Sequence, residues 1–239
     1  MEPSSWDPEG LFRFVDVMGV VANGLLGGAV ARSRRFDMVG FATLAIISGL
    51  GGGMLRDVLL NIRPVALSDP AYLTGALIAA AIAYAINLEG TWPRRALAMA
   101  DVLALGAWSA TGTIKAAGMG LDWVPAVMLG VITAVGGGML RDVLVGRTPA
   151  VFGGNTLYAS LGVVGSIQAL ICVELGMRDL GMGLSILTCG VFGLLARRLG
   201  WMLPEPINFS LRSLAPRPLS PKANVDRISR RSARRRGKE

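Results

Sequence analysis

Residues 48–64 read SGLGGGMLRDVLLNIRP, and residues 133–149 read TAVGGGMLRDVLVGRTP. Three glycines followed by Met-Leu-Arg-Asp-Val-Leu therefore occur twice, 85 residues apart. The same offset carries Asp16 onto Asp101, Ser48 onto Thr133, Arg56 onto Arg141 and Asp57 onto Asp142. The chain is a duplicated unit, and that duplication governs the reading of everything around it.

The background of the motif is strongly apolar. Of 239 residues, 52% are hydrophobic and only 17% are charged, against about 25% charged in an ordinary soluble domain. Runs long enough to approach the ~20 residues that cross a hydrocarbon core lie at 11–31, 38–60, 70–88, 96–117, 123–144, 156–175 and 180–198. Short polar or helix-breaking links separate them. The expected architecture is an all-α membrane protein with seven transmembrane helices. Trp92, Trp123, Trp201 and Tyr72 fall near the ends of these runs, where amphipathic rings favour the headgroup region. The acidic, proline-bearing start MEPSSWDPEG is the wrong flank for a secretory signal, so the first run is expected to be retained.

Each repeat holds three runs, an odd number, so the second copy enters the membrane from the opposite side. The expectation is two inverted three-helix repeats, 11–95 and 96–179, with a seventh helix at 180–203. Arginines collect in alternate links: Arg32, Arg34 and Arg35, then Arg94 and Arg95, then Arg147, then Arg197 and Arg198. The positive-inside rule therefore puts the N-terminal residues 1–10 outside and residues 204–239 in the cytoplasm. That last segment carries ten basic and three acidic residues, which supplies most of the +8 net charge of the chain. It reads as a disordered tail attracted to anionic lipid. Without interleaved aromatics it gives no reason to expect nucleic-acid binding.

Composition also removes several chemistries. There is no histidine, the usual general base and a common metal ligand. Cys172 and Cys189 lie in apolar runs without metal-ligand spacing and read as packing residues. No phosphate loop, nucleophile–base pair or metal cluster is evident, so an enzyme is not expected.

The repeated polar residues remain. Gly51, Gly52 and Gly53 sit past the middle of the second run, and Gly136, Gly137 and Gly138 take the same place in the fifth. Each glycine costs a helix roughly 1 kcal/mol relative to alanine, so a triplet needs a compensating use. One reading is a helix break whose free carbonyls face a pore or site; the other is close helix packing. Ser48 and Thr133, just before the triplets, either offer hydroxyl oxygens to an ion or bond their own preceding turns. Depth along the runs places Asp16 level with Arg56 near one surface, and Asp101 level with Arg141 near the other. A charge in hydrocarbon costs at least about 2.5 kcal/mol, so the expectation is an Asp16–Arg56 pair outside and an Asp101–Arg141 pair inside, acting as gate charges or as structural staples. Lys115, whose counterpart is Val30, either snorkels to the interface or responds to membrane voltage. Asp69 and Asn155 read as helix caps.

Two three-span repeats plus one span, each repeat carrying GGGMLRDVL, resemble the prokaryotic branch of the trimeric intracellular cation (TRIC) channel family, also catalogued as glycine transporters. The resemblance spans about residues 11–200. It implies a homotrimer in the bacterial cytoplasmic membrane, with a pore for potassium and other monovalent cations in each protomer. It also implies that the second and fifth helices line that pore and bend at Gly51–Gly53 and Gly136–Gly138, with Arg56 and Arg141 beside it. No cofactor is implied beyond permeating potassium or sodium and bound lipid. By themselves the residues reach an inverted-repeat channel or a small amino-acid transporter, with a non-transporting scaffold as a third class.

Overall fold

The structure, a computed structural model, describes residues 8–88, 90–152 and 157–201. Residues 1–7, Asn155 and the basic segment from 204 onward lie outside the described residues, so the cap expected at Asn155 and the expected disorder of the tail do too. The helices are α1 (Pro8–Ser33), α2 (Met38–Leu59), α3 (Val65–Ser68), α4 (Pro70–Ala85), α5 (Thr91–Gly118), α6 (Trp123–Leu144), α7 (Tyr158–Glu174) and α8 (Arg178–Leu199), with a 3₁₀ turn at Ala150–Phe152. No strand occurs among the described residues. Among the described residues, five helices, α1, α2, α5, α6 and α8, are long and apolar enough to cross a membrane, whereas the apolar α4 and α7 are shorter.

Local chemistry explains the boundaries. Asp37 caps α2 by accepting from the Gly40 amide, Asp122 caps α6 by accepting from the Trp123 amide, and Asp69 accepts from the Ala71 amide with Pro70 opening α4. The C-terminal ends repeat with the 85-residue offset. Asn61 (φ 54) follows α2 as Gly146 (φ 67) follows α6, each with left-handed backbone. The next amide, Ile62 or Arg147, then bonds back to the carbonyl of Asp57 or Asp142, a Schellman-type closure. Only the second copy uses glycine there; asparagine tolerates the same conformation.

α1, α2 and α4 pack as one three-helix group and α5, α6 and α7 as the other; α2 crosses α6, and α8 lies against α5 and α7. The central core gathers Val20, Leu50, Tyr72, Leu105, Trp108, Val135 and Leu161 from both groups and Cys189 from α8. Both cysteines are buried and free, in keeping with their reading as packing residues. Arg32 ties the first group together: its guanidinium donates to the Ala83 and Tyr84 carbonyls at the end of α4 and lies over the Phe41 ring. At the opposite end Arg13 grips Asp69, and that hydrogen-bonded contact holds the Asp69 carboxyl down to about 2.

Large aliphatic side chains cover the outside. Ile78, Ile82, Ile167, Ile171, Leu187 and Val191 are all exposed, an apolar surface far too extensive for a water-soluble monomer. The chain is a multi-pass membrane protein.

Candidate functional site

Both glycine triplets lie where α2 crosses α6. A Cβ built on Gly52 would collide with the Thr133 carbonyl oxygen, and one on Gly137 with the Ser48 carbonyl oxygen. These contacts are reciprocal under the 85-residue offset, as a two-fold axis requires. The partner number falls as the residue number rises, from Ser48 against Gly137 to Gly52 against Thr133, so the helices run antiparallel. Antiparallel, two-fold-related equivalents are what an inverted repeat means.

The expected helix break is corrected here. α2 and α6 are continuous α-helices through Gly51–Gly53 and Gly136–Gly138, and the triplets spend their missing side chains on backbone approach. The third glycine of each differs: a Cβ on Gly53 or Gly138 would meet nothing nearer than the guanidinium of Arg56 at 3.8 Å or Arg141 at 3.6 Å. Ser48 and Thr133 are fully buried in the same crossing. Thr133 Oγ1 donates to the Leu129 carbonyl at 2.6 Å, and Ser48 Oγ faces Arg141 at 3.5 Å.

Two charge clusters stand on either side of the crossing. In the first, Asp57, with no side-chain exposure, accepts from Arg56 Nε at 2.8 Å, Lys115 Nζ at 2.8 Å and the Val65 amide at 2.9 Å. Asp16 accepts from the Tyr72 hydroxyl and from Trp108 Nε1, each at 2.7 Å. In the second cluster, Asp142 accepts from Arg141 Nε at 3.0 Å. Asp101 accepts from the Tyr158 hydroxyl at 3.0 Å and from the Arg197 guanidinium at 2.8 Å. Each cluster holds two carboxylates and two cations; Asp57, Asp101 and Asp142 are ion-paired, and Asp16 is satisfied by two neutral donors.

The expected Asp16–Arg56 and Asp101–Arg141 pairs therefore do not form. Depth along a helix fixes the level of a charge but not its azimuth. Both oxygens of Asp16 are taken by donors from α4 and α5, and each arginine turns to the aspartate that follows it. The members of each expected pair do line one cavity. Asp16 and Arg56 share a cavity of about 20 Å³ with Tyr72, Trp108 and Thr133. Asp101 and Arg141 share one of about 430 Å³ with Asp142, Tyr158 and Arg197. Lys115 neither stands free nor merely snorkels; it reaches back to Asp57.

Four of these residues were not singled out for the site from sequence: Tyr72, Trp108, Tyr158 and Arg197. Tyr72, read as an interfacial anchor, is 5% exposed. The available signal was the buried aspartate in each repeat, which demands donors, and a tyrosine near the start of the third helix of each repeat supplies one.

The fold and site together define a duplicated, inverted-repeat membrane protein with a charge-lined cavity on each side of a central helix crossing. The family described as "Glycine transporter" matches residues 13–87 and 98–174, the two repeats, and the chain belongs to that family. Relatives include a UPF0126 membrane protein of Deinococcus radiodurans, 32% identical over 66% of this chain and 74% of that one. The UPF0126 inner membrane protein YadS of Escherichia coli is 30% identical over 66% of this chain and 76% of its own length. Among solved structures, one described as explaining conductance through TRIC cation channels superposes with a TM-score of 0.76 at 28% identity, covering 84% of this chain and 99% of that one. The TRIC trimeric intracellular cation channel orthologue from Rhodobacter sphaeroides gives a TM-score of 0.73 at 26% identity, over 80% and 98%. The family and these neighbours are channels or transporters, not enzymes.

Proposed function

We propose that this chain is a channel for monovalent cations, potassium and sodium among them, with a separate path in each protomer of a homotrimer. The observation that carries the reading is the pair of charge-lined cavities set, with two-fold symmetry, on opposite sides of the α2–α6 crossing. Likeness to solved TRIC cation channels supports it. A hydrated cation enters the cavity beside Asp101 and Asp142, passes the Ser48 and Thr133 hydroxyls where α2 and α6 meet, and leaves past Asp57 and Asp16. Arg56, Arg141 and Lys115 are neutralised by carboxylates and so do not repel it outright. The backbone contacts at Gly52 and Gly137 close the path. Because the tightest contacts there are of Gly52 and Gly137 against backbone carbonyls, a small separation of α2 from α6 opens it, with Lys115 in position to respond to voltage across the membrane.

In this reading α4 with α3 before it, and α7 with the 3₁₀ turn before it, complete seven spans in a bacterial cytoplasmic membrane. The N-terminus lies outside, and the basic segment 204–239 lies at the cytoplasmic surface against anionic lipid. A second reading, transport of a small amino acid such as glycine, is favoured by the family's description and by a cavity holding both arginines and carboxylates. Purified protein in liposomes tests both. Potassium efflux down its gradient without amino acid supports the channel; glycine counterflow with no ion efflux supports the transporter.

A further inference from the structure

Helix α8 is outside the duplication, yet it supplies a charge to the larger cavity. Arg197, in the last turn of α8, donates to Asp101 at 2.8 Å. Lys115 does the corresponding thing at the other end, giving Asp57 its second cation at 2.8 Å, and it too lacks a charged counterpart, since Val30 stands in its place. At each end the duplication supplied two carboxylates and one arginine, and a residue with no charged counterpart under the repeat brings the cluster to neutrality. The two ends differ in access. Asp57 is sealed from solvent, whereas the Arg197 and Asp101 side chains are 34% and 14% exposed on a cavity of about 430 Å³.

We propose that Arg197 is a specificity-determining residue of that mouth: a tethered counter-cation that occupies Asp101 and thereby sets how strongly the mouth concentrates permeating cations. The inference rests on the channel reading. Arg197 competes with the permeating ion for one carboxylate, so the mouth of the intact protein is held neutral. Without it Asp101 and Asp142 face the cavity against Arg141 alone, and the mouth carries one net negative charge. Such a charge about 5–10 Å from an ion in water raises local cation concentration by about two- to fourfold. The effect fades at high salt, where the screening length falls to about 3 Å.

The test is single-channel recording of the full chain, compared with R197Q, R197K, D101N and D101N/R197Q, in symmetrical potassium chloride at about 0.05 M and about 1 M. The expected result at low salt is that R197Q raises current entering by this mouth about two- to fourfold and makes the channel rectify, with the difference vanishing at high salt. R197K stays at the wild-type level, D101N shifts rectification the opposite way, and the double variant returns to wild type. A purely structural role would change current equally at both salt concentrations and would not be reversed by D101N; either outcome overturns the proposal. Should R197Q fail to assemble, D101N and the double variant still decide the sign. Conducting wild-type channels with R197Q unchanged refute this inference alone. Silent wild-type membranes beside active glycine counterflow refute the channel reading and this inference with it.

Discussion

The α2–α6 crossing makes a prediction that separates glycines standing side by side in one motif. Adding a methyl group at Gly52 puts it inside the contact radius of the Thr133 carbonyl oxygen, with Thr133 C at 3.1 Å and Gly137 N at 3.3 Å behind it, and all three are backbone atoms. None can rotate away, so α2 and α6 must part by roughly 1 Å to restore ordinary contact distances. Overpacking of this kind costs about 1–3 kcal/mol, against a gain of about 1 kcal/mol from replacing glycine by alanine in a helix. At Gly53 the only nearby atom is the end of the flexible Arg56 side chain at 3.8 Å, so the gain stands almost alone. Accordingly G52A and G137A should be less stable than G53A and G138A by about 1–3 kcal/mol, with the latter two at or above wild type. Thermal unfolding of purified, monodisperse protein in detergent ranks them. Equal effects at all four positions, or stabilisation by G52A, would refute the claim that the triplets serve backbone approach.

Three further outcomes follow from the charge clusters and their supports. D57N leaves Arg56 and Lys115 without their carboxylate and should cost about 3–5 kcal/mol; D142N, whose site is partly exposed and binds one cation, should cost less in the same unfolding assay. W108F removes the donor to Asp16 together with indole atoms that lie against Gly19, so it should lower stability by at least about 1–3 kcal/mol. Asp69 has its folded carboxyl held down to about 2 by Arg13. Its contribution is therefore complete above about pH 4 and lost as pH falls towards about 2, and D69N should flatten that part of the stability–pH curve.

Much of the fold was legible because its two strongest signals are one-dimensional. Apolar runs mark helices, and the offset of 85 residues holds so strictly that α2, residues 38–59, maps residue for residue onto α6, residues 123–144. Inversion followed from an odd number of runs per repeat, and the antiparallel contacts at Gly52 and Gly137 agree with it. What the sequence concealed is azimuthal. In helices that are apolar nearly all round, no periodicity says which way Asp16 or Arg56 points, so depth arithmetic paired charges that share a cavity without touching. The continuity of α2 and α6 was hidden for a related reason. Three glycines weaken a helix in isolation, and only the facing backbone of the other repeat shows what offsets that cost. The role of Arg197 carries no sequence signal because, on α8, it has no counterpart under the repeat that marks the other charges.

The most direct measurement is single-channel recording from purified protein in a planar bilayer, under a potassium gradient with no amino acid present. The account predicts discrete, voltage-dependent openings that reverse near the potassium equilibrium potential. A silent bilayer, alongside counterflow uptake of labelled glycine by the same protein in liposomes, would contradict it.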